Sequence, residues 1–311
     1  MIALTGATGF IGSYIAKRLP GPIKILSRQS QRPDLSNPSH HWIKGNLCDP
    51  SSLHTFVQSS PVLIHLACST TPRTSDTNWI PDIHNNVIPS VNLFEAYAKS
   101  NPEGHIIFSS TGGNMYPLGP HASPFSEDDN PSPRSGYGIH KLSIEHYLRI
   151  LCENYRLRGT ILRISNPYGT LLPTHRAQGL IGVAFAKILA NEPLNIVDSL
   201  HSVRDYIHLD DLLKAFELSI TSPPQQGECR IFNVGSSQGH SLKAVLNLIE
   251  KTTDQTLKKN IPPSLPPPSV SILSFEKIQK TLGWAPKITL EDGIQRMWEH
   301  CEAMKKLVTT S

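Results

Sequence analysis

At 311 residues and 38% hydrophobic content, the chain can bury one large core or two smaller ones, and no apolar run approaches the roughly 20 residues that a membrane span needs. A net charge of +4 without a Lys/Arg block excludes a nucleic-acid surface, and the opening on an apolar strand and a glycine loop reads as no signal peptide, so neither nucleic acid nor membrane is an expected partner. Five scattered cysteines without C-x-x-C, and fourteen histidines in no ligand spacing, exclude a disulfide framework and a metal site and fit reduced thiols in the cytoplasm.

Met1 to Leu4 reads as a short strand running into Thr5-Gly6-Ala7-Thr8-Gly9-Phe10-Ile11-Gly12, and Ile11, Tyr14, Ile15 and Leu19 then recur at helical spacing. Pro20-Gly21-Pro22 stops this helix before a second strand, Ile23 to Leu26. Glycines at 6, 9 and 12 inside a βαβ unit let backbone N–H groups approach a pyrophosphate at a helix N-terminus, which predicts dinucleotide binding. The second strand should end on the group that reads the adenosine ribose. It ends on Ser27-Arg28, with no carboxylate until Asp34, which leans toward NADP or toward indifference between the two cofactors. Alternatively, Arg28 merely stacks on adenine.

Strands are expected at 41–44 and 62–67, a short helix at 51–58, an amphipathic helix at 85–99, and a strand from Ile106 that ends in Ser109-Ser110-Thr111. Alternating strands and helices imply a Rossmann-like, doubly wound parallel sheet of the α/β class. Tyr137 and Lys141 follow, four residues apart and so on one helix face. An ammonium near a phenol favours the phenolate, and a phenolate can take the proton of a secondary alcohol while a hydride leaves the same carbon. The plainer alternative is a packed tyrosine and a solvated lysine.

Beyond residue 165 the alternation breaks down. Helices are expected at 178–190, 209–219, 241–251 (N-capped by Ser241) and 291–305, with a short strand at 194–197. A strand near 229–235 should return to the first sheet. The predicted division is an NAD(P)-binding domain over 1–165 and a smaller C-terminal substrate-binding domain over 166–311. The segment Ile261 to Ser269, five of whose residues are proline, reads as an extended polyproline-like linker.

Motifs along the whole length then converge. They are Gly6-x-x-Gly9-x-x-Gly12, His65-Leu66-Ala67, Asn86-Val87, Phe108-Ser109-Ser110-Thr111-Gly112-Gly113, Tyr137-x-x-x-Lys141, Arg163-Ile164-Ser165-Asn166-Pro167-Tyr168-Gly169, Val203-Arg204-Asp205-Tyr206-Ile207-His208, Phe232-Asn233-Val234-Gly235 and Leu282-Gly283-Trp284. In this order they resemble the extended short-chain dehydrogenase/reductases of the NAD-dependent epimerase/dehydratase branch, and most of all the UDP-glucose 4-epimerase group. The resemblance implies Tyr137 as catalytic acid/base. Lys141 would tune it and hold the nicotinamide ribose, and Thr111, or second Ser110, would hydrogen-bond the reacting sugar oxygen. Cofactor contacts would come from Gly6, Thr8, Gly9, Phe10, Ile11, Gly12, Ser27, Arg28, Asn46, Leu47, Leu66, Ala67 and Asn86 together with Tyr137 and Lys141. Asn166 and Arg204 would bind the nucleotide-sugar, a guanidinium being suited to a diphosphate. Read without the family, Asn166 is a turn residue and Arg204 pairs with Asp205.

Three departures stand out. Asn46 replaces an aspartate, Arg28 replaces the ribose-binding acid, and the proline-rich segment replaces an Arg-x-Gly-Asp stretch. The implied activity is a nucleotide-sugar 4-epimerase, acting on a UDP-hexose or UDP-N-acetylhexosamine by transient C4 oxidation with bound NAD, or NADP on account of Arg28. An NADPH-dependent nucleotide 4-keto-sugar reductase is the alternative. A 4,6-dehydratase ranks low, because Gly112-Gly113 stand where that elimination needs an Asp-Glu pair. A non-catalytic cofactor sensor would have no use for Thr111, Tyr137 and Lys141 together. A homodimer through helices 85–99 and 139–155 is also implied.

Overall fold

The computed structural model describes residues 1–29, 37, 39–71, 75, 79–117, 124–175 and 178–309, with the backbone alone over 304–309. Asp34 lies outside these residues. The apolar runs of the first half become β1 (Ile2–Thr5), β2 (Ile23–Ser27), β3 (His41–Lys44), β4 (Val62–His65), β5 (His105–Thr111) and β6 (Arg158–Ile164). Next come β7 (Asn166–Tyr168), β8 (Leu194–Asn195) and β9 (Val203–His208), which lie elsewhere, before β10 (Cys229–Val234) joins the first six. The resulting seven-stranded sheet has the order β10-β6-β5-β4-β1-β2-β3 and is parallel throughout. The order reverses between β1 and β4, and an open α/β sheet carries its ligand crevice at the carboxyl ends of such a switch point.

Buried residues alternate cleanly between the two faces of the sheet. Leu4, Ile64, Ile107 and Leu162 belong to a core with Ile15, Phe216 and Trp284, while Ala3, Leu63, Ile106 and Ile161 belong to one with Phe56, Phe94, Tyr97 and Leu148. Burial on both faces is why these strands read as continuous apolar runs. The first core draws on helix Leu209–Thr221, so residues from the second half cover the sheet as well as extend it. Asp211 in that helix accepts from the backbone N–H groups of Lys287 and Ile288, at 3.1 and 2.9 Å, and anchors a later segment. A third core, around Phe185, Val245, Ile249 and Trp298, belongs to the C-terminal part, beside a small sheet in which β9 pairs with β7, β11 (Gly239–Ser241) and, after β12 (Lys259–Asn260), β13 (Val270–Ser271).

The helix expected from residue 85 starts earlier. A turn at Trp79–Asp82 passes through a π segment, Ile83–Val87, into Ile88–Ser100. The N–H of Ile88 reaches back five residues to the carbonyl of Ile83, one residue before Pro89, which has no N–H to give the helical ladder. Helix Gly136–Tyr155 begins at Ser135, whose hydroxyl accepts from Gly138 N at 3.1 Å, and Ser241 caps Leu242–Thr253 in the same way from Ala244 N. No helix among the described residues is long and apolar enough to cross a membrane.

Candidate active site

The glycine loop after β1 is closed so tightly that side chains are excluded at Gly6 and Gly12. Gly6 has φ +75°; a Cβ on it would lie 2.7 Å from the amide of Ala67, and one on Gly12 would lie 2.1 Å from the Gly6 carbonyl oxygen. The same carbonyl accepts from Gly9 N at 2.9 Å. Helix Phe10–Arg18 starts here on Gly9 with no side-chain cap, so its first N–H groups are left for an anion. A cradle of bare backbone at a helix N-terminus fits the pyrophosphate of a dinucleotide. From it a cleft of about 720 Å³ runs past Phe10, Ile11 and Leu66 to Thr111, Tyr137 and Lys141, and on to Asn166, Arg204 and Tyr206.

One wall is held by a chain of buried hydrogen bonds. Ser90 Oγ donates to the Asn86 carbonyl at 2.5 Å, so it accepts from His65 Nε2 at 2.9 Å, and His65 Nδ1 accepts from Thr5 Oγ1 at 2.7 Å. Burial, seconded by the Lys141 charge, pushes this imidazole down to about 3, and His65, at the end of β4, is a neutral bridge from β1 to the helix Ile88–Ser100. Asn86 Oδ1 accepts from Ser69 N at 2.7 Å, and its amide donates to Asp82 and, at 3.2 Å, to Thr70 Oγ1. Asp82 also takes the hydroxyl of Thr70, at 2.6 Å, and faces His140 Nδ1 at 2.7 Å. Asn86 therefore sits behind the loop that walls the cleft, with its side chain committed to holding that loop.

At the carboxyl ends of β2 and β3 lie the groups expected near adenosine. Ser27 Oγ accepts from Gln29 N at 3.2 Å, Arg28 is exposed, Asn46 is exposed with its Oδ1 on Cys48 N at 3.1 Å, and Leu47 is half-buried. Thr8 is exposed on the glycine loop, and the Ala67 amide donates to Thr5 Oγ1 at 3.3 Å.

Lys141 is 4% exposed, with Nζ donating to the Ser109 carbonyl at 2.7 Å and standing 5.8 Å from the centre of the Tyr137 ring. Burial pushes the ammonium down, while Cys68 and then Glu145 pull it back. For Tyr137 the sequence predicts a pKa lowered by Lys141. In the folded protein burial is the larger influence and pushes the phenol up, with Cys68 acting the same way, so Tyr137 rests protonated. Thr111 and Ser110 both border the cleft, but the Ser110 hydroxyl is taken by Glu145 at 2.5 Å.

On the far side, Asn166 Nδ2 donates to the Asp205 carbonyl at 2.8 Å. Arg204 pairs with Asp198, at 2.6 Å, rather than with its sequence neighbour, and also donates to Ser269 O and Oγ at 2.8 and 3.0 Å. Asp205 is fully buried on Ser236 and the Leu273 amide, and burial pushes its carboxyl up to about 6. The proline-rich segment thus ends on a partner of Arg204. Neither Asp198 nor Ser269 carries a sequence signal, whereas Glu145 does: it falls four residues after Lys141 and eight after Tyr137, on one face. No group of three or more His, Cys, Asp or Glu side chains among the described residues could hold a metal.

The model of the NAD dependent epimerase/dehydratase family matches residues 2–235. A dTDP-4-dehydro-6-deoxyglucose reductase of Escherichia coli is 33% identical over 309 residues, which cover 95% of this chain and 96% of the relative. Among solved structures, the UDP-glucose 4-epimerase of Thermotoga maritima with UDP-glucose superposes with a TM-score of 0.87 at 27% identity, covering 98% of this chain and 99% of the other. The UDP-glucose 4-epimerase of Thermus thermophilus with NAD gives 0.85 at 25% identity, covering 97% and 98%.

Proposed function

Since the chain belongs to the NAD-dependent epimerase/dehydratase family, we propose that it inverts C4 of a nucleotide-linked hexose, a UDP-hexose or UDP-N-acetylhexosamine, with NAD held in the cleft. The carrying observation is one continuous cleft that joins the glycine cradle, the Thr111–Tyr137–Lys141 group and the Asn166–Arg204 pair. NAD, when bound, supplies a reversible hydride acceptor for C4. Gly6, Gly9 and Gly12 would take its pyrophosphate, and Lys141 Nζ its nicotinamide ribose. Tyr137 first loses its resting proton to solvent; as the phenolate, its Oη then takes the C4 hydroxyl proton and later returns a proton to the C4 oxygen, which Thr111 Oγ1 steadies by a hydrogen bond. Lys141, kept charged, stabilises the phenolate that forms on Tyr137. Arg204 takes the diphosphate, sharing its guanidinium with Asp198 or leaving it.

A second reading, an NADPH-dependent 4-keto-sugar reductase, is favoured by Arg28 at the end of β2 and by the similarity to the Escherichia coli reductase. NMR of the protein with UDP-glucose and UDP-N-acetylglucosamine, without added nicotinamide, tests the first: the C4 epimer is the expected product. No epimer even with NAD added, together with NADPH oxidation on a nucleotide 4-keto-6-deoxyhexose, would move the assignment to the second.

The same reading divides the chain at 165/166 into cofactor-binding and substrate-binding parts and places it in the cytoplasm, in keeping with five cysteines of which none is in a disulfide. It also makes the protein a homodimer. Ile80, Ile83 and Ile88 before and on one helix, and Ile139, Tyr147 and Ile150 on helix Gly136–Tyr155, are exposed apolar side chains on adjoining elements. Light scattering should give the mass of two chains, and Ile150→Glu should reduce it to one; a wild-type monomer at micromolar concentration would remove the dimer.

A further inference from the structure

Glu145 lies beneath the cleft, 1% exposed, in contact with two elements of the sheet. It accepts the Ser110 hydroxyl at 2.5 Å, and Arg163 from Nη2 at 2.7 Å and from Nε at 3.2 Å to each oxygen. Arg163, itself 3% exposed, donates onward to Tyr116 Oη at 3.0 Å, and Tyr116 donates to Asn233 Oδ1 at 2.8 Å. A buried carboxylate with a guanidinium is costly to desolvate, and well-packed apolar side chains often serve stability as well. Stability alone therefore does not explain the pair.

Its position does. Helix Gly136–Tyr155 carries Tyr137, Lys141 and Glu145 one turn apart on one face, toward β5. Lys141 is buried against the Phe108 ring and the Ser109 carbonyl, neither of which bears a charge. The titratable groups around it are Cys68 after β4, neutral His65 at the end of β4, and Tyr137 and Glu145 on its own helix; Arg163 on β6 stands beyond Glu145. Glu145 is the carboxylate among them. Through Ser110 it also grips the residue next to Thr111.

We propose that Glu145 is a positioning residue for the C4 chemistry, supplying the buried counter-charge to Lys141 and pinning the end of β5 that presents Thr111. This rests on the reading of Tyr137 and Lys141 given above. Arg163, itself held by Tyr116 and through it by Asn233, keeps Glu145 in place by donating to both of its oxygens. Without the carboxylate, Lys141 gives up its proton at lower pH, and the phenolate of Tyr137 loses its stabilising charge on the alkaline side.

Glu145→Gln leaves Arg163 without a counter-ion and can fail to fold, so the deciding variant is Glu145→Leu/Arg163→Met, which removes both charges and keeps an apolar fill. In protein labelled with 13C-lysine, with Lys141 assigned by Lys141→Met, NMR should show the Lys141 titration midpoint falling by about one pH unit in the double variant. The alkaline limb of kcat should move down with it, at unchanged KM. An unmoved Lys141 midpoint in a folded double variant overturns the proposal. A shifted midpoint in a protein that turns over no nucleotide-sugar, even as wild type, would sustain the counter-charge and reject the C4 reading instead.

Discussion

Tyr137→Phe is expected to lower turnover by roughly 10²–10⁴-fold and to leave cofactor affinity within about a factor of two, because it removes only the hydroxyl that carries the proton. The ring remains, and Lys141 keeps its bond to the Ser109 carbonyl. Burial holds the phenol protonated at rest, so it ionises before it accepts the proton of the C4 oxygen, and Lys141 is the cation beside its ring. Thr111 can steady that oxygen by a hydrogen bond, but an alcohol is too weak an acid to replace a phenol. Turnover by NMR alongside a fluorescence titration of NAD separates the two effects. Near-normal turnover in Tyr137→Phe would mean that another residue is the acid/base. Loss of both activity and binding would mean that the tyrosine shapes the cofactor site rather than the chemistry.

The second large effect concerns the loop. Gly12→Ala should abolish measurable cofactor binding, a loss of about 100-fold or more, and lower stability by about 1–3 kcal/mol, since its new Cβ cannot avoid the backbone. That atom would stand 2.1 Å from the Gly6 carbonyl oxygen and 2.9 Å from the Ala7 Cα. Gly9 supplies the contrast: a Cβ there meets only the Gly6 oxygen, at 3.2 Å, so Gly9→Ala should be tolerated far better in folding. NAD titration and thermal denaturation of the two variants compare them directly. Equal behaviour would show that the loop gives way, and that the glycines serve ligand approach alone.

Local pattern was enough for much of this protein. The strands of the parallel sheet are legible because both faces are buried, so the residues are apolar in unbroken runs. The glycine loop is legible because only glycine tolerates a backbone so close to Leu66 and Ala67. The shared face of Tyr137 and Lys141 follows from helical spacing, and so does Ser241 as a cap. The return of β10 beside β6 matches its reading as a strand, since Phe232 and Val234 are apolar and fully buried.

What tertiary structure decided was the partner of each charge and the environment of each proton. Arg204 passes over Asp205 for Asp198 and Ser269, because alternate side chains of β9 face opposite ways and Asp205 points into a buried ring of donors. Asn86 turns from the cleft to the loop behind it because Asp82, Ser69 and Thr70 meet there only after β4 and the π segment are placed. Sequence spacing marks Lys141 as the influence on Tyr137, yet desolvation first and Cys68 second set the phenol, and desolvation depends on everything packed around the ring. Periodicity and backbone sterics act between near neighbours and are written in the order of residues; charge pairing and burial act through space, between residues that only the fold brings together.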